Sequence, residues 1–249
     1  MAAQLEILQK RNVVILGRTG TGKKTIANQI LAKDVFHVQS SMESVTRQAT
    51  TMDAEEKDPI RKVHYNIKII DTVGPYSAPI EKQTIFRHII DYSTTKVPEG
   101  INLILFTFRN GVYEKGEIEA FKAIIKSFKD EIREMSALVI TGCESFDEIG
   151  RKNIIQEINT EEGTSGIARF MGKGVHLVGF PSLTNVNIAL KEEYKRGIAS
   201  DAKELRKLIM GAGEMTLNQD IIRRKLDPNM TGKPQMSLLE QLWNSCNLL

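Results

Sequence analysis

Nine residues, Gly17 to Thr25, constrain this chain more than any others: GRTGTGKKT. They follow the short apolar run NVVIL (12–16) and lead into KKTIANQILAK (23–33), whose Ile26, Ile30 and Leu31 recur at helical spacing. Strand, glycine-rich turn and helix in that order make a phosphate-binding loop of the form G-x-x-x-x-G-K-[ST]. Glycines let backbone N–H groups turn toward phosphate oxygens, and the helix N-terminus adds its dipole. Gly17, Gly20 and Gly22 supply the turns, Arg18, Thr19 and Thr21 fill the loop, and Lys23 stands where an ammonium reaches the outer phosphates. The next position departs from the pattern. Lys24 replaces the hydroxyl that would hold Mg2+. An ammonium cannot ligate a cation, and at ~4 Å the two charges repel by roughly 8 kcal/mol at an effective dielectric near 20. Thr25 carries a hydroxyl, but one helical step turns it by ~100°, so it serves only if the helix starts one residue out of register.

The remainder of the chain alternates strand and helix patterns, which predicts an α/β fold: a mostly parallel sheet covered by helices on both faces. Buried strands are expected at 101–108 (INLILFTF), 137–141 (ALVIT) and 175–180 (VHLVGF), with helices near 79–93, 115–131, 148–158, 164–172 and 185–210. SVTRQATTM (44–52) and RKVHYNIKIID (61–71) read as two strands separated by the polar turn DAEEKDP, pairing as an antiparallel hairpin at one edge. A nucleotide-binding domain over residues 10–212 and a helical tail over 213–249 follow. The hydrophobic and charged fractions, 41% and 26%, suit a globular protein, and a net charge of +3 gives no support for bulk nucleic-acid binding. Two distant cysteines, no signal-peptide pattern and no apolar run approaching ~18 residues lead to the expectation of a cytoplasmic protein.

Three further boxes fit the loop. The strand ending in Asp71-Thr72-Val73-Gly74 lies 48 residues after Lys23, where an Asp can hold Mg2+ and a Gly amide can sense the terminal phosphate. Pro75 follows, so no glutamine stands there to position water. Between the boxes a Thr should reach metal and phosphate; Thr46 is the first choice, with Thr50 and Thr51 as rivals. Thr141 and Glu144 end a strand, and a carboxylate there can accept two hydrogen bonds from guanine, which adenine cannot offer. Gly179 and Phe180, at the end of the last strand, are placed beside the base.

With these pieces in order the chain resembles the GIMAP/IAN family, the immunity-associated nucleotide-binding GTPases of the septin-like branch. VVILGRTGTGKKTIANQIL looks like the family's LVGKTGxGKSATGNSIL, SVT its second box, IIDTVG its DTPG box, and VITGCE its T-x-x-[DE] base box. GINLILFTFRNGVYEKGE resembles the additional box after the fourth strand. The resemblance implies a GTP/GDP-binding domain with a helical extension, Mg2+ as cofactor, pairing of two copies across the nucleotide face and peripheral assembly at intracellular membranes. The family's arginine in the additional box, which assists hydrolysis, is Val112 here; Arg109 does not inherit the role. With Lys24 and the missing glutamine, this predicts GTP binding with slow or assisted hydrolysis, or a nucleotide-bound scaffold without turnover. An adenine-nucleotide enzyme is the remaining alternative.

The chain ends Cys246-Asn247-Leu248-Leu249, a C-a-a-X arrangement that makes Cys246 a candidate for prenylation. No polybasic stretch flanks it, and one lipid anchors weakly. The four histidines show no metal spacing.

Overall fold

The computed structural model describes residues 7–32, 50–58, 62–71, 97–184, 186–218 and 220–221. The six strands are β1 (Ile7–Leu16), β2 (Thr50–Asp58), β3 (Val63–Asp71), β4 (Leu103–Arg109), β5 (Ser136–Thr141) and β6 (Val175–Leu177). They form one sheet in the order β2-β3-β1-β4-β5-β6, and every pairing is parallel except β2 with β3. The helices are α1 (Lys23–Leu31), α2 (Lys115–Phe128), α3 (Asp130–Arg133), α4 (Glu148–Thr160), α5 (Ser165–Phe170) and α6 (Ile188–Met210). Both halves of the sheet start from β1, which has β3 on one side and β4 on the other. Its C-terminal end is therefore the switch point where open α/β sheets bind ligands.

The central strands carry continuous apolar runs, Val13–Leu16, Leu103–Phe106 and Ala137–Ile140, because both faces are covered there. Alternate residues point to opposite sides. Val14, Leu16, Phe106, Phe108, Leu138 and Ile140 meet Phe121, Phe128, Ile154 and Ile158 of α2 and α4. Val13, Ile15, Leu105 and Val139 meet Ile26 and Ile30 of α1 and Leu205 and Ile209 of α6. Phe121 of α2 anchors the first face, packing edge-on to Phe106 with ring centroids 4.9 Å apart and at 5.0 Å from Phe108. β1 shows how pairing sets burial. Its first residues pair with β3 alone and are mostly exposed, whereas Val13–Leu16, flanked by β4 as well, are fully buried.

The hairpin differs from the expectation in its register. Residues 53–58, expected as a polar turn, are strand and pair with Val63–Lys68. Lys62, the residue before β3, has φ +56°. β2 is an edge strand, so Asp53, Glu55 and Lys57 are exposed while Ala54 packs toward the core; polarity there reflects position rather than chain reversal. The other strands and helices fall within a few residues of their expected bounds, and α6 starts at Ile188 because Asn187 caps it, its side chain accepting from the Ala189 N–H at 3.0 Å. The expected helix at 79–93, Thr46, Gly74 and Cys246 lie outside the described residues. Leu217, beyond the expected domain end, is fully buried and bridges Ile101. No helix among the described residues is long and apolar enough to cross a membrane.

Candidate functional site

The loop from Gly17 to Gly22 turns at the C-terminal end of β1. Gly20 and Gly22 have φ of +87° and +85°, the left-handed region that L side chains avoid. Gly17 is needed for a different reason: a Cβ there would lie 2.0 Å from the Thr107 hydroxyl. Thr107, on β4, braces the loop from beneath. Its hydroxyl donates to the Leu16 carbonyl at 2.8 Å and lies 3.1 Å from the Thr21 hydroxyl. Thr21 in turn donates to the Arg18 carbonyl at 2.8 Å. Thr141 donates to the Thr21 carbonyl at 2.8 Å, tying the end of β5 to the loop.

Lys23 is 7% exposed, and its ammonium lies over the loop, donating to the carbonyls of Gly17 at 2.8 Å and Arg18 at 3.0 Å. The ammonium is thus already desolvated and centred on the cradle. α1 begins in ordinary register, with the Ile26 N–H on the Gly22 carbonyl. The one-residue slip that would bring Thr25 to the metal position is therefore not there. Lys24, half-buried, occupies that position, and Thr25 sits one step round the helix. Among the described residues no cluster of His, Cys, Asp or Glu is arranged to hold a metal ion. At the loop itself the side chain in the metal position is an ammonium, which cannot ligate a cation.

The expected base-reading residues form the adjoining edge of the sheet. Thr141 also lies against Gly22, where an added Cβ would meet it at 3.4 Å. Its hydroxyl is committed to backbone carbonyls, so its part here is to brace the loop. Glu144 is exposed beyond it, and Gly179 packs directly on the Glu144 backbone. Phe180, half-buried, packs on the α1/α6 side of the core. The backbone of Asp71 ends β3 beside Ile15 of β1. Thr46 and Gly74 lie outside the described residues, as stated above.

Three supports were not anticipated from the sequence. Asp201, on the buried face of α6, accepts from the Gly179 N–H at 2.7 Å and from both terminal nitrogens of Arg151, at 2.9 and 2.8 Å. Arg151 also donates to the Leu177 carbonyl at 3.1 Å. The ion pair with Asp201 pushes the arginine further toward its charged form. Arg206, one turn further along α6, donates to the Gln29 and Ile30 carbonyls at 2.7 and 2.9 Å, satisfying the end of α1. The third support is Glu117, in the first turn of α2. It is 1% exposed and accepts from the Arg18 N–H at 2.8 Å. Burial pushes this carboxyl up to about 7. A signal for two of these was present: Glu117 shares a helical stripe with Ala120, Phe121 and Ile124, and Asp201 with Leu205 and Ile209. A carboxylate on a buried stripe needs a partner.

An open depression of about 430 Å³ lies elsewhere, lined by Gly111, Tyr113, Glu157, Thr160 and Glu161. Its two carboxylates have the wrong sign for a polyanion. Val112, where the resemblance would place an arginine, bridges back to Arg109 in a tight turn.

Comparison with known proteins agrees with this layout. A family model described as the AIG1 family matches residues 11–170, more than half of the chain. The chain is 26% identical over 142 residues to immune-associated nucleotide-binding protein 7 of Arabidopsis thaliana, covering 56% of this chain and 43% of that protein. It is 26% identical over 208 residues to immune-associated nucleotide-binding protein 10 of the same plant, covering 83% and 42%. The chain thus spans less than half the length of these relatives. Among solved structures it is similar to a dimerization-deficient mutant of Toc33 from Arabidopsis thaliana, with a TM-score of 0.52 and 17% identity over 86% of this chain and 84% of that one. At that identity the likeness is one of fold.

Proposed function

Because this chain belongs to the AIG1 family, the immunity-associated (GIMAP/IAN) group, we propose that it binds guanine nucleotide at the Gly17–Thr25 loop and uses the bound state to govern pairing with a second copy. The observation that carries the reading is the cradle itself: two left-handed glycines, a helix N-terminus and a desolvated Lys23 ammonium over one loop. Oriented amides and a buried cation are what a di- or triphosphate requires. Glu144, exposed at the end of β5 beside Gly179, is the group assigned to guanine. The names of the relatives, immune-associated nucleotide-binding proteins, and the dimerization named for the Toc33 structure support the same reading. Domain limits of 10–212 and a helical tail over 213–249 whose Leu217 packs back on Ile101, peripheral membrane contact and prenylation of Cys246 belong to this proposal as well.

Hydrolysis is expected to be slow. Lys24 stands at the metal position, no arginine stands at Val112, and such an arginine contributes roughly 10³-fold or more in GTPases. The same two residues favour a second reading, a nucleotide-bound scaffold that does not turn over. Titration of fluorescent GTP, GDP and ATP analogues, with and without Mg2+, tests both. Guanine nucleotides should bind in preference to ATP, and Lys23→Ala should weaken binding more than tenfold. Mg2+ should matter little until Lys24→Ser is introduced. Phosphate release at concentrations where copies pair separates the slow enzyme from the scaffold. Equal binding of ATP, or indifference to Lys23→Ala, overturns the reading.

A further inference from the structure

The head of α2 grips a single residue of the loop from two sides. Glu117 accepts from the Arg18 N–H at 2.8 Å, and Glu114, the residue before the helix, pairs with the Arg18 guanidinium at 2.8 Å. The Arg18 carbonyl is held as well, accepting from the Thr21 hydroxyl at 2.8 Å, the Thr21 N–H at 3.2 Å and Lys23 at 3.0 Å. One residue of the cradle is therefore fixed through both its N–H and its C=O, and Glu117 supplies one of those fixings from 99 residues away. The second oxygen of Glu117 is buried and has no partner among the described residues. A half-satisfied carboxylate in a dry site is costly, and structures retain such groups where they serve a purpose.

We propose that Glu117 is a positioning residue for the phosphate loop, and that it couples the additional box and α2 to the charge of the phosphates the loop holds. The inference rests on the nucleotide-binding reading above. The charged groups facing Glu117 are Arg18 and Lys23 from the loop and α1, which favour its ionised form, and Glu114 from its own element, which opposes it. Burial outweighs them and holds the carboxyl at about 7. Phosphates arriving on the loop add negative charge nearby and draw the Lys23 ammonium away from the Gly17 and Arg18 carbonyls. Both changes push Glu117 toward its protonated form. A protonated carboxyl still has an oxygen to accept the Arg18 N–H, so the loop stays pinned while the repulsion is removed. Binding then takes up a proton at Glu117, and affinity falls as pH rises through neutrality.

Two measurements test this. The first follows GTP-analogue affinity from about pH 6 to about pH 8.5 for the protein and for Glu117→Gln, which keeps an acceptor and loses the titration. The nucleotide's terminal phosphate titrates in the same range, and the variant supplies that background. The wild-type affinity should fall about tenfold more than the variant's, the effect of one pH unit of coupling. Superimposable profiles overturn the coupling while leaving nucleotide binding intact. The second measures amide exchange of the 17–22 segment in nucleotide-free protein. Glu117→Ala should speed it about tenfold while Glu117→Gln stays near wild type and the β4 amides hold; that factor corresponds to the loss of one ordinary hydrogen bond. Unchanged exchange in the alanine variant overturns the positioning role. Should no nucleotide bind at any pH, the functional reading and the coupling both fall, and exchange alone still decides the grip.

Discussion

Asp201→Ala removes the acceptor that ties Gly179, beside Glu144, to α6. The carboxylate takes a charge-assisted bond from the Gly179 N–H at 2.7 Å and a two-pronged pair from Arg151 at 2.9 and 2.8 Å. The first is worth about 1.5–3 kcal/mol. Stripping a partner from a fully buried pair costs about 3–5 kcal/mol. Arg151 keeps 29% of its side chain in solvent against 11% for Asp201, however, and screening brings its share down to roughly 1–2 kcal/mol. The variant should therefore lose about 3 kcal/mol, a fall in Tm of roughly 6–12 °C for a chain of this size. Arg151→Met should lose about 2 kcal/mol, because Asp201 keeps its Gly179 bond. The double variant should show a coupling of about 1–2 kcal/mol between the two sites. Urea unfolding followed by circular dichroism gives all three values. In Asp201→Ala the Gly179 backbone is no longer fixed against Glu144, so under the proposed function preference for guanine over adenine nucleotides should narrow while phosphate contacts through Lys23 persist. An Asp201→Ala loss below about 1 kcal/mol, or a coupling near zero, refutes the claim that this pair carries the edge of the site.

Glu117 makes stability depend on pH in a stated direction. Its acidity is lowered by burial, from about 4.5 to about 7, so the folded state binds more protons than the unfolded one between those values. Stability is full below about pH 4.5 and falls as pH rises through about 7, by on the order of 3 kcal/mol. Glu117→Gln should lack that decline and be the more stable protein at pH 8 by chemical denaturation. Gly17→Ala puts a methyl 2.0 Å from the Thr107 hydroxyl and 2.7 Å from the Thr107 carbonyl. It should cost about 3 kcal/mol or more and abolish binding of a fluorescent guanine nucleotide. Arg206→Met leaves the Gln29 and Ile30 carbonyls without their donor, and should lower stability by about 1–2 kcal/mol with faster amide exchange confined to the end of α1.

The sequence by itself determined the sheet class, the place of the loop and the family, because these are written in local terms. Short continuous apolar runs, helical stripes and glycines at fixed offsets need no knowledge of distant residues. Lys24 at the metal position is equally local: a helix beginning at Lys23 fixes which side chain stands there. The β2 strand was hidden for a local reason too, since an edge strand facing water is free to have the composition of a turn. What only the tertiary structure decided is how the site is held. The Arg18 amide meets Glu117 across 99 residues, Gly179 meets Asp201 across 22, and Ile30 at the end of α1 meets Arg206 across 176. A buried stripe announces that Glu117 and Asp201 need partners, but no period or spacing names them. The partners are set by which strand ends and helix ends the fold brings to one edge of the sheet, and that is a property of packing rather than of any short stretch of chain.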